Sequence, residues 1–395
     1  MKMKMCIIGW KSHRGRRVVP MNQMRTVFMF DIEDFFSPDE QPLMLETVLF
    51  CPVLRWMGEA MKAAGCQRFF VSCPPEYIQA ARACFDGNDD VTVAAGKAEL
   101  MAFLQEDGPV TVFPCAQVPL ELAGGSSYAY TVQSAVLSEA WGGEKNNGIP
   151  GAEKLPGWTA IFRHSLAETE MACRDMLVKR HMEQGVRFLD PATVYVDPRV
   201  SIGKRTCVLP NTILRGRTTI GTDCEIGPGA VIRDCTVGNH SEVNASQIRE
   251  SVVGDYTTVG PYAYLRPNSR VGNHVKVGDF VEVKNSVIGD GTKISHLTYV
   301  GDSDVGERVN FGCGTVTTNY DGHRKYRCTI GNDVFLGCNT NLVAPVTLGD
   351  GSYTAAGSTI TKDVPADALA VARAQQTVKE GWAARRRKLY EKKKS

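Results

Sequence analysis

Through most of the second half of the chain an aliphatic residue recurs at every sixth position. The first run is Ile202, Val208, Leu214, Ile220, Ile226 and Ile232. After five-residue resets it resumes as Val253, Val259, Leu265, Val271, Val277, Val283, Ile288, Ile294 and Val300, and again as Ile330, Leu336, Leu342 and Leu348, with Ile360 in register. Such a repeat reads as one short strand per six residues, three strands per coil, and an aliphatic side chain pointing into the coil. Glycine often follows it, as at Gly203, Gly254, Gly289 and Gly337, and the chain's 38 glycines exceed a typical ~7% share. These glycines are expected at corners that need φ > 0. The pattern predicts a parallel β-helix over about 192–363.

The first half reads differently. Thr26–Asp31, Arg68–Cys73 and Val110–Phe113 resemble buried strands and Met57–Ala64 a helix, so residues 1–160 are expected to be α/β. Residues 161–191 contain a helical pattern, Leu166–Gln184, that would connect the two domains, and 364–395 form a basic C-terminal tail. The formal net charge is +2, which gives no global basic field for nucleic acid. Thirteen cysteines without a CxxC pair argue against a disulfide framework or zinc ribbon and suit a reducing cytosol. The opening residues hold too short an apolar run for a signal peptide, and no stretch reaches the roughly 18 apolar residues of a membrane helix. A cytoplasmic protein without membrane insertion is expected.

Chemistry is expected on the repeats. Arg266 and Lys284 are 18 positions apart, so they stack on one face of successive coils, and Glu282 and Tyr299 share a neighbouring column. Two stacked cations repel, and a phosphate would turn that repulsion into binding; the alternative is a surface cluster balanced by Glu282. His296 stands at a coil corner and suits a general base at neutral pH, with Glu282 a candidate to orient it. The rhythm breaks from Thr315 to Cys328, around Asn319-Tyr320-Asp321-Gly322, where an excursion from the solenoid would offer a binding face.

The motifs Leu265-Arg266-Pro267, Phe280-Val281-Glu282-Val283-Lys284, His296-Leu297-Thr298-Tyr299, Asn319-Tyr320-Asp321-Gly322 and Leu342-Val343-Ala344-Pro345-Val346 together resemble one family. It is the bacterial bifunctional N-acetylglucosamine-1-phosphate uridyltransferase/glucosamine-1-phosphate acetyltransferase (GlmU) family, matched through Lys379-Glu380-Gly381-Trp382. The resemblance implies a left-handed β-helix in a homotrimer, with acetyl-CoA and glucosamine 1-phosphate as substrates. It implies His296 as catalytic base, and Arg266, Glu282, Lys284, Tyr299, Asn310 and Lys325 around the sugar phosphate. Acetyl-CoA would lie along Cys313, Asn319, Tyr320, Cys338, Ala356 and Arg373, and no metal is expected there.

In the first half the resemblance weakens. The family's Gly-rich triphosphate loop would follow Thr26–Phe30, but residues 31–40 carry five acidic residues and no glycine. Ala116-Gln117 stands where the family has Gly-Asp, so the Mg²⁺-binding carboxylate is a neutral amide. The uridine-binding Gly-Thr-Gly is also absent around Ala95-Gly96-Lys97. A degenerate, Rossmann-like nucleotidyltransferase remnant without uridyltransferase activity is expected. The alternatives are a retained bifunctional enzyme, an acyltransferase for another amino sugar, a metal-dependent hydratase and a non-catalytic scaffold.

Overall fold

The computed structural model describes residues 24–30, 41–122, 125–140 and 149–391. The acidic segment 31–40 and the last lysines therefore lie outside the described residues. Two compact units divide the chain, Met1–Asp234 and Cys235–Ser395.

The first unit opens with a six-stranded sheet. Its order is Asp90–Ala94, Arg68–Ser72, Arg25–Met29 and Pro109–Phe113, all parallel, then the antiparallel Tyr130–Gln133 and Glu153–Lys154. The central strands are covered on both faces, which is why they read as continuous apolar runs. Phe28, Phe69 and Phe113 join Leu54 and Met57 of the helix Val53–Ala63 in one core. Val27, Phe70 and Val112 turn the other way, against Leu100, Phe103 and Leu104 of the helix Lys97–Leu104. The expected α/β class is thus observed, with Asp90–Ala94 and Tyr130–Gln133 as strands the apolar pattern did not reveal. Their half-exposed or polar residues explain why.

The helix Leu166–Glu183 follows, and Cys173 and Leu177 insert into the first of these cores. In the same unit parallel strands begin to stack in three faces. Arg187–Phe188 pairs with Cys207–Val208, Tyr195–Val196 with Ile213–Arg215, and Ser201–Ile202 with Thr219–Ile220.

The second unit repeats that arrangement throughout. Its first face carries Thr258–Val259, Lys276–Asp279, Lys293–His296, Asn310–Phe311, Phe335–Leu336 and Tyr353–Thr354 in order. The second carries Gln247–Arg249, Tyr264–Leu265, Glu282–Lys284, Tyr299–Gly301, Val316–Thr318 and Asn341–Val343. The third runs from Val252–Val253 through Arg270–Val271 to Val346–Leu348. This is a left-handed parallel β-helix, and the six-residue aliphatic series forms its buried interior. At 354 the series is broken by Thr354, whose hydroxyl is satisfied by Thr340 at 3.1 Å and by the Gly337 N–H at 3.1 Å.

Gly227 and Gly260 take the positive φ expected of them, at 108° and 109°, but most glycines that follow the aliphatic residues do not. Left-handed backbone at the corners belongs mostly to other residues, among them Asn211, Asp223, Tyr256 and Phe280. Glycine is required instead by the neighbouring coil. A Cβ at Gly254 would lie 2.5 Å from the Gly272 carbonyl oxygen, and one at Gly337 would lie 2.5 Å from the Ala356 nitrogen. The correction is one of cause: close approach of backbone selects glycine here, whereas the left-handed corners are occupied by side chains of several kinds, Phe280 included.

One buried titratable group bears on stability. His181 is 2% exposed on Leu166–Glu183, with no hydrogen-bond partner for either ring nitrogen among the described residues. Desolvation, reinforced by Arg180, lowers its pKa to about 4. The unfolded imidazole therefore binds protons that the folded one refuses, and stability falls as pH drops from about 6.5 toward 4. From this group alone the loss should reach about 2 kcal/mol by pH 5. Urea melts at pH 7.5 and 5 should show that difference shrinking in His181→Leu; an unchanged difference would contradict it.

Candidate active site

The β-helix register places the candidate residues at one corner and on the adjoining face. Asp279 pairs with His296 in the parallel ladder. Ile294 lies opposite Phe311, Phe311 opposite Leu336, and Leu336 opposite Thr354. Two residues beyond each of those positions come His296, Cys313, Cys338 and Ala356. They therefore form a single corner column, ~4.8 Å per step. Arg373 reaches its upper end, with its Cδ 3.8 Å from where a Cβ of Gly357 would stand.

His296 is half-exposed, and its Nδ1 lies 2.5 Å from Oδ1 of Asp279. With the Nδ1 proton donated to that carboxylate, Nε2 is left as the proton acceptor. The hydrogen bond to His296 holds the Asp279 carboxyl below the usual carboxylate range. Sequence reasoning had offered Glu282 as the orienting carboxylate. The structure corrects this: Glu282 accepts from Arg266 Nη1 at 2.8 Å, and Asp279 orients the histidine. Asp279 sits in the strand one coil below His296, so the 17-residue spacing was a usable signal.

The second face carries the anion-binding candidates. Leu265 pairs with Val283 and Lys284 with Gly301, so Arg266, Lys284 and Gly301 form one column. Glu282 and Tyr299 are paired in the next, as their spacing implied. Lys284 Nζ donates to Asp302 at 3.2 Å. Burial opposes ionisation of Asp302, but donors from Asn285, Lys284 and Asn319 outweigh it and hold its carboxyl below the usual range. Asn319, assigned above to the cofactor, is buried, donates to Asp302, and lies 3.5 Å from the Tyr299 hydroxyl.

The break in the repeat is a short hairpin. Tyr320 bridges to Lys325, Tyr326 N donates to Asn319 O at 2.8 Å, and Asp321 Oδ1 accepts from the backbone of His323 and Arg324 at 2.7 and 2.6 Å. Arg327 anchors its return through Asp304 at 2.9 Å and the Asn285 carbonyl at 3.0 Å. The turn brings Lys325 to Lys284, whose contact and charge lower the Lys325 pKa below the usual lysine range. Tyr320 remains exposed on the hairpin. Asn310 is not brought to this cluster: it pairs with Lys293 and Phe335 on the first face, the face that carries His296.

Gly301, Asp302 and Asn285 escaped the sequence reading. Gly301 leaves the space that the Tyr299 ring fills; a Cβ there would lie 2.3 Å from the Tyr299 hydroxyl. Elsewhere, His240 and His274 stack on the two faces of Tyr256, at 4.7 and 5.0 Å, as a ring ladder and not a ligand pair. In the first unit the Gln117 amide is fully buried. Its Oε1 accepts from Tyr128 N at 3.1 Å, while its Nε2 has no partner among the described residues.

Three segments, residues 199–234, 250–285 and 327–362, match the family described as bacterial transferase hexapeptide (six repeats). Over 220 residues the chain is 53% identical to the bifunctional protein GlmU of Clostridium beijerinckii, covering 56% of this chain and 48% of that one. It is 50% identical over 224 residues to that of Alkaliphilus metalliredigens, covering 57% and 49%. With the Geobacillus sp. WCH70 protein the identity is 46% over 243 residues, covering 60% and 53%. The repeat-bearing part of the chain is similar to GlmU. The chain spans about half the length of these curated relatives. A solved UDP-N-acetylglucosamine acyltransferase from Arabidopsis is 17% identical over 49% of this chain and 75% of that one, with a TM-score of 0.33.

Two substitutions should separate placement from folding. Gly301→Ala requires only the Tyr299 ring to swing away, so the melting temperature should hold while Tyr299 leaves Asn319; a crystal structure of the variant checks this. At Asp279, an asparagine retains an oxygen to accept from Nδ1, whereas alanine does not. Asp279→Ala should therefore lower turnover by about tenfold or more, with Asp279→Asn recovering part of it. Equal loss in both variants would contradict orientation by Asp279.

Proposed function

We propose that the chain is an acetyltransferase that moves the acetyl group of acetyl-CoA to the 2-amino group of glucosamine 1-phosphate. The observation that carries this is the corner column: a histidine oriented by Asp279 at its foot, and small side chains at Cys313, Cys338 and Ala356 above it. An extended thioester cofactor fits along such a stripe, with Tyr320 and Arg373 at its flanks. Arg266, Lys284 and Lys325 supply the cations for a sugar phosphate. The names of the relatives support the same reading.

The lone pair of the neutral substrate amine attacks the thioester carbonyl, and His296 Nε2 takes one proton from that nitrogen as the bond forms. The C–N bond forms, the C–S bond breaks, and the imidazolium returns its proton to the departing thiolate of CoA. Tyr299 and Asn319 orient the sugar, and Glu282 holds Arg266 in place. Direct transfer needs no nucleophile from the protein, so Cys313 and Cys338 serve as small wall residues. A homotrimer is part of the proposal. Tyr262, Phe280 and Leu297, exposed by 63%, 59% and 57%, line the corner beside His296 and suit packing against a second copy.

The first unit is proposed to have lost uridyl transfer, since a buried amide tied to Tyr128 N offers no anionic oxygen to Mg²⁺. The division into 1–160, 161–191, 192–363 and 364–395 is kept as the functional one.

The test is release of free thiol from acetyl-CoA with glucosamine 1-phosphate as acceptor. The wild-type chain should release it, and His296→Ala should be slower by about a hundredfold or more. Absence of release in the wild type, or its persistence in His296→Ala, would overturn the proposal. No pyrophosphate should form from UTP and N-acetylglucosamine 1-phosphate even at high protein concentration; its formation would restore the bifunctional alternative.

A further inference from the structure

The second face carries a cation that the sugar-phosphate site does not use. Ile248 pairs with Leu265 and Leu265 with Val283, so Arg249, Arg266 and Lys284 occupy three successive levels of one outward column. The levels are ~4.8 Å apart at the backbone. Their counter-charges differ. Arg266 is matched by Glu282 at 2.8 Å and Lys284 by Asp302 at 3.2 Å. Arg249 is exposed and packs on an aromatic ring instead, with its guanidinium carbon 6.0 Å from the Tyr264 centroid. A guanidinium held this way keeps its N–H donors available to another ligand. Lys325, pressed against Lys284 from the hairpin, adds a further positive charge at the opposite end of the column.

We propose that Arg249, seated on Tyr264, is a second anion subsite one level below Arg266, so that this face accepts a pyrophosphate-linked ligand as well as a monophosphate. Phosphoryl groups joined through one oxygen are close enough to engage arginines on neighbouring levels, and each arginine can present two parallel donors. The natural ligand class is a nucleoside diphosphate sugar or free pyrophosphate. Either would compete with a sugar 1-phosphate for Arg266. The subsite rests on the proposal that Arg266 and Lys284 hold a phosphate.

Titration calorimetry on the full chain, with inorganic phosphate and pyrophosphate as probes, tests it. Pyrophosphate should bind about tenfold more tightly than phosphate. Arg249→Leu, an exposed change, should remove most of that advantage while phosphate affinity stays within about twofold. Arg266→Ala should weaken both anions. Equal affinity of the two anions for the wild type, or equal weakening of both by Arg249→Leu, would overturn the subsite while leaving the phosphate site intact. If neither anion binds the wild type, the phosphate site fails and the subsite with it. Competition of UDP against bound pyrophosphate would place ester-linked diphosphates among the ligands; its failure would limit the subsite to free pyrophosphate.

Discussion

The second unit depends on how closely one coil of backbone lies on the next. Parallel ladders at ~4.8 Å leave no room for a Cβ at certain positions, and glycine at Gly254 and Gly337 answers that constraint. Inside each coil the aliphatic residues fill a narrow, buried interior. Outside, every side chain is held above its counterpart one coil below. Chemistry is then built by stacking. A residue's partners are set by ladder register, and a catalytic group is positioned as rigidly as the strands that carry it.

That geometry explains how distant residues come together. Asp279 and His296 meet because they are paired across adjacent coils, and the small residues Cys313, Cys338 and Ala356 continue the same corner. The column Arg266, Lys284, Gly301 shows the complementary device: two cations followed by an empty place, into which Tyr299 turns. The hairpin after Val316–Thr318 departs from the solenoid and returns with Lys325 against Lys284. Like charges there persist because Asp302, held ionised by Asn285, Lys284 and Asn319, lies among them.

The α/β part of the first unit obeys different physics. Its sheet is covered on both sides, and its stability resides in phenylalanine-rich layers and in the helix Leu166–Glu183. Gln117 is instructive. Its amide is fully buried; Oε1 accepts from Tyr128 N at 3.1 Å, while Nε2 has no partner among the described residues.

The fold of the repeats was legible because a coil imposes a fixed period, and a fixed period survives in one dimension. The 18-residue spacing made the Arg266–Lys284 column legible for the same reason, and the 17-residue spacing the Glu282–Tyr299 pair. Strands of the first unit such as Asp90–Ala94 were hidden, since an edge strand need not be apolar. Which carboxylate serves His296 was settled only by side-chain geometry: Glu282 and Asp279 are both near in sequence, and only the ladder shows Arg266 claiming the first and the imidazole the second. The sequence by itself determined the period, and through it the interior, the stacking and the columns. The tertiary structure decided which charges pair across those columns, because pairing depends on rotamers and corner geometry that no spacing encodes.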